Sequence, residues 1–312
     1  MQIIKFDLRR HLNHLGNFLR DLYRENHTAV AWLPERLHDI IFRVGAQEME
    51  EGSEKSADHI YFWEENGEIE ACILPDGENI YVAIRSGFEQ LFPSMIDFSE
   101  KNCLRMFSRQ EDGSVKFWVA VSNSFPYMEK ELTGRGYSRF AEEENANCIF
   151  PQEADLAAEL PEGFQLMYGE EYPDEEKKWS ALRLGFHPDW ESSGYKGGMG
   201  PYNERKLSPM YPDCFECIVV DESATEENNV CSYCFVYVDK ITKTVLIEPV
   251  STREKYRRMG FGRAMMSAAV QRCRDVGIEK CYVDSFGWLR DFYTAAGFSI
   301  ESSVSFWYKI LK

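Results

Sequence analysis

The sequence predicts an α+β fold, a mixed and mostly antiparallel central sheet flanked by helices, present in two tandem copies. Short apolar runs of strand-like composition alternate with segments of helical period. The 312 residues exceed the size to which a single core usually grows. Ser124-Phe125 stands twelve residues before a Gly-Tyr-Ser triplet, and Ser285-Phe286 stands twelve residues before a Gly-Phe-Ser triplet. We therefore expect two related domains, residues 1–152 and 160–312.

The first half contains strand and helix signals in a definite order. Apolar residues three and four apart in 12–23 predict an amphipathic helix, and Asn66-Gly67 between two apolar runs predicts a two-residue hairpin turn. The Glu-, Ser- and Gly-rich stretch 49–58 predicts a solvated loop. The predicted elements are strand 3–8, helices 12–23 and 35–44, hairpin strands 60–63 and 69–74, strand 80–84, helix 88–102, strand 115–121 and helix 127–132.

The second half repeats this order after the polar linker 152–159. The predicted elements are a strand beginning at 160–166, helix 175–184, a Gly- and Pro-rich loop 187–212, strands 215–221, 230–239 and 244–247, a helix ending near 276, strand 278–284, helix 288–296 and strand 303–311. The loop carries Trp190, Tyr195, Tyr202 and Tyr211. Because a long loop in a compact domain is more often functional than idle, we expect this one to have a function.

The chain is acidic, with a formal net charge of -17 at pH 7. Such a surface repels nucleic acids and anionic membranes, so we expect neither as a partner. It attracts a cationic or amine-bearing molecule, although the same charge also serves solubility alone. No apolar run approaches the roughly 20 residues that cross a bilayer, and residues 1–16 lack a signal-peptide pattern, so we expect a cytoplasmic protein.

The segment from Arg253 to Arg263 has the opposite charge. Five of its eleven residues are basic and one is acidic. Within it, Arg257, Gly260 and Gly262 form an Arg-x-x-Gly-x-Gly pattern between an apolar strand run and a segment of helical period. A strand that leads through a glycine loop into a helix directs several backbone N–H groups at one point, which favours phosphate. The pattern therefore predicts an anion-binding loop.

This pattern resembles the pyrophosphate-binding signature of the GCN5-related N-acetyltransferase (GNAT) superfamily. Downstream, the run from Phe292 to Phe298 resembles that superfamily's closing Tyr-x-x-x-Gly-Phe element, with Tyr293 as its tyrosine. The resemblance covers residues 160–312 and implies a GNAT fold that binds acetyl-CoA as co-substrate. Residues 1–152 share the element order but lack the Arg-x-x-Gly-x-Gly pattern, so they resemble a degenerate copy.

The resemblance also implies where acetyl-CoA binds. Backbone N–H groups from Arg258 to Arg263 would hold the diphosphate, with arginine side chains adding positive charge. The strand before them would separate from its neighbour and admit the thioester, and a backbone N–H near Val250 would stabilise the oxyanion. The residues implied to bind acetyl-CoA are Val250, Ser251, Thr252, Arg257, Arg258, Met259, Gly260, Phe261, Gly262 and Arg263.

Acetyl transfer to an amine needs a base for the amine and an acid for the departing thiolate. Glu248 follows an apolar run, and a carboxylate among apolar neighbours has a raised pKa, so it is the candidate base; the alternative is a structural hydrogen bond. Tyr293 is the candidate acid, because a phenol with a pKa near 10 stays protonated at neutral pH; the alternative is a core tyrosine. We expect direct attack of the amine on acetyl-CoA.

Four cysteines have a spacing close to that of a zinc ribbon. Cys214 and Cys217 form one Cys-x2-Cys pair, and Cys231 and Cys234 form another. Their neighbours are typical of strands, and positions three apart on a strand face opposite sides, so neither pair can chelate one ion. We therefore expect buried strand cysteines and no metal, with zinc binding as the alternative.

The expected function is therefore an acetyl-CoA-dependent N-acetyltransferase acting on a small-molecule amine or a peptide amine. The sequence does not identify the acceptor. The rival interpretation is a non-catalytic acyl-CoA-binding sensor or scaffold, which would keep the nucleotide loop without turnover. Glu248 and Tyr293 distinguish the two, because only an enzyme depends on them for thiol release.

Overall fold

The computed structural model describes residues 1–29, 32–156, 159–190, 198–224 and 228–312. The strands are β1 (Gln2–Lys5), β2 (Tyr61–Glu65), β3 (Glu68–Asp76), β4 (Asn79–Ile84), β5 (Val115–Ser122), β6 (Ser138–Ile149), β7 (Phe164–Tyr168), β8 (Phe215–Asp221), β9 (Val230–Asp239), β10 (Thr244–Thr252), β11 (Lys280–Phe286) and β12 (Ser299–Leu311). The helices are α1 (Leu8–Asn26), α2 (Pro34–His38), α3 (Gly45–Glu50), α4 (Phe92–Asn102), α5 (Pro126–Gly134), α6 (Glu175–Phe186), α7 (Gly200–Arg205), α8 (Phe261–Asp275) and α9 (Arg290–Ala295). None of the helices in these ranges is long and apolar enough to cross a membrane.

The chain divides into two compact units that are not continuous in sequence. Unit 1 consists of Met1–Ala146, Ser285–Trp288 and Ile300–Lys312, and unit 2 consists of Asn147–Asp284 and Leu289–Ser299. The predicted domains, 1–152 and 160–312, were continuous. The units differ from them mainly in the C-terminal strand, which belongs to unit 1.

Unit 1 is built on a mixed sheet. Its strands are ordered β1-β2-β3-β4-β5-β12-β6. The pairs β1–β2, β2–β3, β3–β4 and β5–β12 are antiparallel, whereas β4 pairs in parallel with β5 over three residues. Successive residues of β3 face opposite sides of the sheet, so Ile73 packs into one apolar cluster with α4 and Leu74 into another with α1. Helices therefore cover both faces, as the α+β prediction requires.

Local signals in the first half place several elements as expected. Helix α1 contains the predicted helix 12–23 and begins one turn earlier, because the Asp7 side chain accepts a hydrogen bond from the Arg10 backbone N–H at 3.0 Å. Asn66 and Gly67 both have positive φ angles and join β2 to β3, which confirms the hairpin. Helix α4 begins at Phe92 rather than at 88, since Pro93 is accommodated in the first turn of a helix.

Unit 2 repeats this architecture around its own core. Its strand order is β6-β11-β10-β9-β8-β7, and β10 pairs in parallel with β11. Helix α8 packs its apolar face on one side of the sheet, where Met265 and Val270 meet β9 and β10 residues. Helix α6 packs against β9 and β10. Tyr195, which the sequence analysis placed in the long aromatic loop, lies outside the described residues.

Candidate functional site

Strand β10 changes partners in the middle of unit 2. Thr244–Leu246 pair with β11 in parallel, and no β10–β11 pair follows in the described part of these strands. On the other edge, β10 pairs with β9 up to Ile247, shifts register at Glu248 and Pro249, and pairs again from Val250 to Thr252. Pro249 has no N–H group, which accounts for the interrupted ladder. Beyond Leu246 the two parallel strands are no longer hydrogen-bonded, which confirms the expected separation.

The basic loop after β10 leads into helix α8. Arg258 and Gly260 both have left-handed backbone conformations, with φ angles of 67° and 85°. A left-handed conformation costs a non-glycine residue about 1–2 kcal/mol. Backbone strain of this kind is concentrated at functional sites, so the conformation of Arg258 supports a functional role for the loop. Helix α8 begins at Phe261 without a side-chain cap and with no acidic residue in its first turn. Its N-terminus is therefore suited to an external anion.

Gly262 has a packing role as well as a place in the motif. A Cβ atom at this position would lie 2.8 Å from Cζ of Phe292, closer than carbon atoms approach in proteins. The first turn of α8 therefore lies directly against α9. This contact ties the Arg-x-x-Gly-x-Gly loop to the segment that carries Tyr293.

The predicted loop residues divide into exposed and buried sets. Arg258, Met259 and Arg263 are exposed, whereas Phe261 is buried and packs against Phe164 with the rings tilted and their centroids 4.7 Å apart. The exposed members are placed to meet a ligand, and Phe261 anchors the start of the helix in the core.

Arg257 contacts protein carbonyls. Its Nη2 donates to the Gly185 carbonyl at 2.8 Å, and its Nε donates to the Thr252 carbonyl at 3.3 Å. The side chain thus connects the loop to the end of α6 and to the end of β10. Its geometry supports a positioning role, and the sequence offered no signal that distinguished this from direct contact with phosphate.

The three β10 residues expected beside pantetheine point in different directions. Val250 packs against the core shared with α8. The Thr252 hydroxyl lies 2.5 Å from the Ser232 hydroxyl, which ties β10 to β9. Ser251 faces α6, where a Cβ atom added to Gly185 would lie 2.6 Å from its Cβ and Oγ. Helix α6 therefore approaches β10 as closely as a glycine permits.

Glu248 and Tyr293, the candidate base and acid, interact electrostatically. Glu248 is half-buried at the register shift, and Tyr293 is 5% exposed and packs edge-on to Phe292 and Phe298. Burial, followed by the carboxylates of Glu248 and Asp284, raises the pKa of Tyr293 well above its usual value near 10. Tyr293 is therefore protonated at neutral pH and feels the charge of Glu248.

Sequence reasoning missed a second group of candidate residues, a buried charged cluster on the α6 side of the sheet. Lys178, Arg183, Arg205 and Glu216 are all at least nine-tenths buried there. Glu216 gave one usable signal, since it is a carboxylate within the apolar strand run 215–221. The three cations gave none, because helical segments of this acidic protein carry many charged residues that lie in solvent.

The cysteines of the predicted zinc alternative lie on or beside strands. Cys217 and Cys234 are Cα partners across β8 and β9, Cys231 is also buried in β9, and Cys214 donates to the Met210 carbonyl. Burial raises the pKa of the Cys231 thiol to about 12, which disfavours the thiolate that zinc requires. Within the described ranges, no group of three or more His, Cys, Asp or Glu residues has a metal-binding arrangement.

Comparisons with known proteins agree on the fold. Residues 169–298 match the family described as acetyltransferase (GNAT) family. A tandem GNAT protein of the clavulanic acid biosynthesis pathway superimposes with a TM-score of 0.63 and 12% identity over 99% of this chain and 98% of its own. A GCN5-related N-acetyltransferase of Sphaerobacter thermophilus has a TM-score of 0.59 and 13% identity, covering 88% and 93%. A GNAT-family acetyltransferase of Colwellia psychrerythraea has a TM-score of 0.55 and 9% identity, covering 99% and 100%. A search of curated proteins found no match.

Proposed function

We propose that unit 2, in which residues 169–298 match the acetyltransferase (GNAT) family, binds acetyl-CoA and transfers its acetyl group to a primary amine of a small molecule or peptide. The observation that carries the proposal is the end of β10–β11 pairing at Leu246, on the strand that leads through the basic loop into the uncapped start of α8. One element thus offers a strand edge to an extended ligand, and the next offers backbone N–H groups to its diphosphate.

The local geometry fits the two ends of acetyl-CoA. Pantetheine contains amide groups, which can hydrogen-bond to the β10 edge between Val250 and Thr252. The diphosphate would meet the backbone from Arg258 to Arg263, where the exposed guanidinium groups of Arg258 and Arg263 add charge. In this proposal Arg257 holds the loop in place through the Gly185 and Thr252 carbonyls.

The proposed reaction is a direct transfer. Glu248 takes a proton from the acceptor ammonium, and the free amine forms a C–N bond with the acetyl carbonyl carbon. The carbonyl oxygen becomes an oxyanion, for which a backbone N–H near Val250 is the proposed donor. The C–S bond then breaks, and the CoA thiolate takes the phenolic proton of Tyr293. The amide nitrogen loses its second proton to the tyrosinate, which restores the phenol, and Glu248 releases its proton to solvent.

The order of proton transfers follows from the electrostatics at Tyr293. A thiolate is a weaker base than a tyrosinate whose pKa is raised, so proton transfer from Tyr293 is uphill in the resting site. Once Glu248 has taken the amine proton it is neutral, and one of the carboxylate charges that raise the pKa of Tyr293 is gone. Deprotonation of the amine therefore assists the later protonation of the thiolate.

Calorimetry with CoA and thiol release from acetyl-CoA with a panel of amines test the proposal. The key variant is Gly260→Ala, matched by Gly277→Ala at the other end of α8. Both glycines have φ near 80° and open space around a new Cβ, so both variants should lose about 1–2 kcal/mol of stability. Only Gly260→Ala places the methyl group at the diphosphate, where losing one charge-assisted hydrogen bond weakens CoA binding about tenfold or more. Equal CoA affinity in the two variants would contradict the proposed binding site.

An acyl-CoA sensor without turnover is the second candidate. The raised pKa of Tyr293 favours it, since such a phenol is a poor acid unless Glu248 first becomes neutral. CoA binding without thiol release from any amine in the panel would support the sensor. Thiol release that requires both an amine and Glu248 would support the enzyme.

A further inference from the structure

Trp179 of α6 lies at the centre of a buried charged cluster in unit 2. Among the described residues, three buried cationic side chains, Lys178, Arg183 and Arg205, accompany one buried carboxylate, that of Glu216. Arg183 is 7% exposed and Arg205 is 1% exposed. Arg183 and Arg205 have their guanidinium carbons 5.7 Å and 5.8 Å from the same Trp179 ring centroid. The four side chains together carry two positive charges in excess.

Glu216 is already occupied by other groups. Its Oε2 accepts from Lys178 Nζ at 2.7 Å, and its Oε1 accepts from the Tyr233 hydroxyl at 2.6 Å. Arg205 reaches this carboxylate only at 3.8 Å and donates to the Tyr233 hydroxyl at 3.0 Å. Lys178 therefore neutralises Glu216, and the charges of the two arginines remain.

Several N–H donors of the two guanidinium groups have no acceptor among the described residues. Among the described residues, Nε and Nη1 of both Arg183 and Arg205 are buried without a hydrogen-bond partner. Aromatic rings lie over the guanidinium carbons, with Phe235 at 3.9 Å from Arg205 and Trp190 at 4.9 Å from Arg183. Rings beside a guanidinium attract its charge but leave the N–H groups in its plane unsatisfied. Burying a cation whose donors are unsatisfied destabilises the folded protein, unless an anion accepts those hydrogen bonds and neutralises the charge.

This cluster is connected to the proposed acetyl-transfer site. Tyr233, which accepts from Arg205, is the Cα partner of Ser251 on β10. Arg183 lies two residues before Gly185, which contacts Ser251. The Ser251 hydroxyl is itself buried and has no hydrogen-bond partner in the described structure. Arg205 is thus tied to the strand that pairs with the β10 segment following Glu248, and Arg183 belongs to the helix that packs on that segment.

We propose that Arg183 and Arg205 form an anion subsite for the acceptor, so that the amine acetylated by this protein also carries a carboxylate or a phosphate group. The identity of the acceptor class rests on the proposed acetyl transfer, whereas anion binding itself does not. Carboxylate and phosphate oxygens share the property that matters, since both accept hydrogen bonds from several guanidinium N–H groups. The anionic group fixes the acceptor at one end and leaves its amine for the thioester.

Matched acceptors test the selectivity. Glutamate is compared with its diamide, 5-aminopentanoate with pentylamine, and phosphoethanolamine with ethanolamine, using thiol release from acetyl-CoA. We expect kcat/KM to be roughly 10- to 100-fold higher for the anionic member of at least one pair, the range given by one charge-assisted hydrogen bond. The pair that shows the preference separates carboxylate from phosphate. Equal or better use of every neutral partner would overturn the proposal even if acetyl transfer is observed.

Arg183→Met and Arg205→Met test the residues. Methionine keeps apolar contact with the surrounding rings and removes the buried charge, so these variants should fold. We expect the ratio of kcat/KM between the anionic and neutral acceptors to fall toward one in both. Arg272→Met is the control, because Arg272 also stacks on two aromatic rings, Tyr168 and Phe215, but is paired with Glu170. A ratio unchanged in both cluster variants, or lowered equally in Arg272→Met, would refute the assignment.

Anion binding without turnover separates this inference from the proposed function. Glutarate and inorganic phosphate are titrated into the wild-type protein and the same three variants by calorimetry. Binding of either anion that is lost in Arg183→Met and Arg205→Met and kept in Arg272→Met supports the subsite even if no amine is acetylated. Absence of binding of both anions to the wild-type protein, with and without CoA, overturns it even if acetyl transfer is found.

Discussion

Gly185 allows helix α6 to lie directly on β10, and Gly185→Ala tests this contact. A Cβ atom at position 185 would lie 2.6 Å from both Cβ and Oγ of Ser251 and 3.1 Å from the Thr252 backbone nitrogen. Carbon atoms in contact are normally about 3.5–4.0 Å apart, so the helix must move by about 1 Å. The Gly185 carbonyl also accepts the 2.8 Å hydrogen bond from Arg257, so this movement disturbs the diphosphate loop as well.

The magnitude follows from two opposing terms. Overpacking of this kind costs about 1–3 kcal/mol, and replacing a helical glycine by alanine returns about 0.5–1 kcal/mol. We expect a net loss of roughly 1–2 kcal/mol in the free energy of unfolding, measured by urea denaturation followed by tryptophan fluorescence. CoA affinity measured by calorimetry should fall in the same variant.

Two comparisons make the reasoning refutable. Gly16→Ala in α1 adds a Cβ whose nearest atom, Arg20 Nη1, is at an ordinary 3.6 Å, so this variant should gain about 0.5–1 kcal/mol. The second comparison is Gly185→Ala/Ser251→Gly, in which the colliding atoms of Ser251 are removed. The two substitutions should couple favourably by about 1 kcal/mol or more in a double-mutant cycle. Additive effects, or a stable Gly185→Ala protein with normal CoA affinity, would show that α6 does not hold β10 at this distance.

Three further predictions follow from the candidate site and the cysteines. Glu248→Gln should retain CoA binding by calorimetry and lower kcat at pH 7 by about 10²–10⁴-fold, the usual contribution of a general base; undiminished turnover would exclude that role. The raised pKa of Tyr293 means that its contribution to stability is complete below pH 10, the value at which an unfolded tyrosine ionises, and is lost as the pH rises further. The unfolding free energy of Tyr293→Phe should therefore fall less steeply above pH 10 than that of the wild type, by up to about 1.4 kcal/mol per pH unit, and equal slopes would contradict the burial of this phenol. Titration with a thiol reagent should detect fast reaction at Cys214, the one half-buried cysteine among nine, before unfolding exposes the rest; rapid reaction of several thiols in the native protein would argue against buried strand cysteines.

The features predicted correctly are those encoded within a few residues. Asn66-Gly67 specifies a hairpin because both residues tolerate positive φ angles, and the loop through Gly260 leads into α8 because glycine adopts φ of 85° without strain. The separation of β10 from β11 was expected only through the resemblance, although Pro249 marks the interrupted ladder in the sequence itself. These signals depend on the conformational preferences of a few adjacent residues, so the structures they specify do not depend on tertiary contacts.

The features that were missed depend on partners distant in sequence. Strand β12 lies beside β5 in unit 1, with Trp307 opposite Val119, yet its alternating pattern fits any mixed sheet and indicates no particular neighbour. The charge that Arg257 was expected to add for phosphate stays a prediction, but the hydrogen bond of its side chain to a carbonyl 72 residues away in sequence was not foreseen. In both cases the residues adjacent in sequence do not specify the partner.

The buried cations revise the interpretation of the net charge. An overall charge of -17 favoured a cationic acceptor, because a negative surface attracts positive molecules at distances up to about 10 Å. Around Trp179 the sign is reversed, since Arg183 and Arg205 add charge that Glu216 does not neutralise. A molecule with both an ammonium and an anionic group interacts favourably with the negative surface and with the positive cluster around Trp179. The surface would draw in its positive end, and only an acceptor with an anionic tail would satisfy the unpaired guanidinium donors.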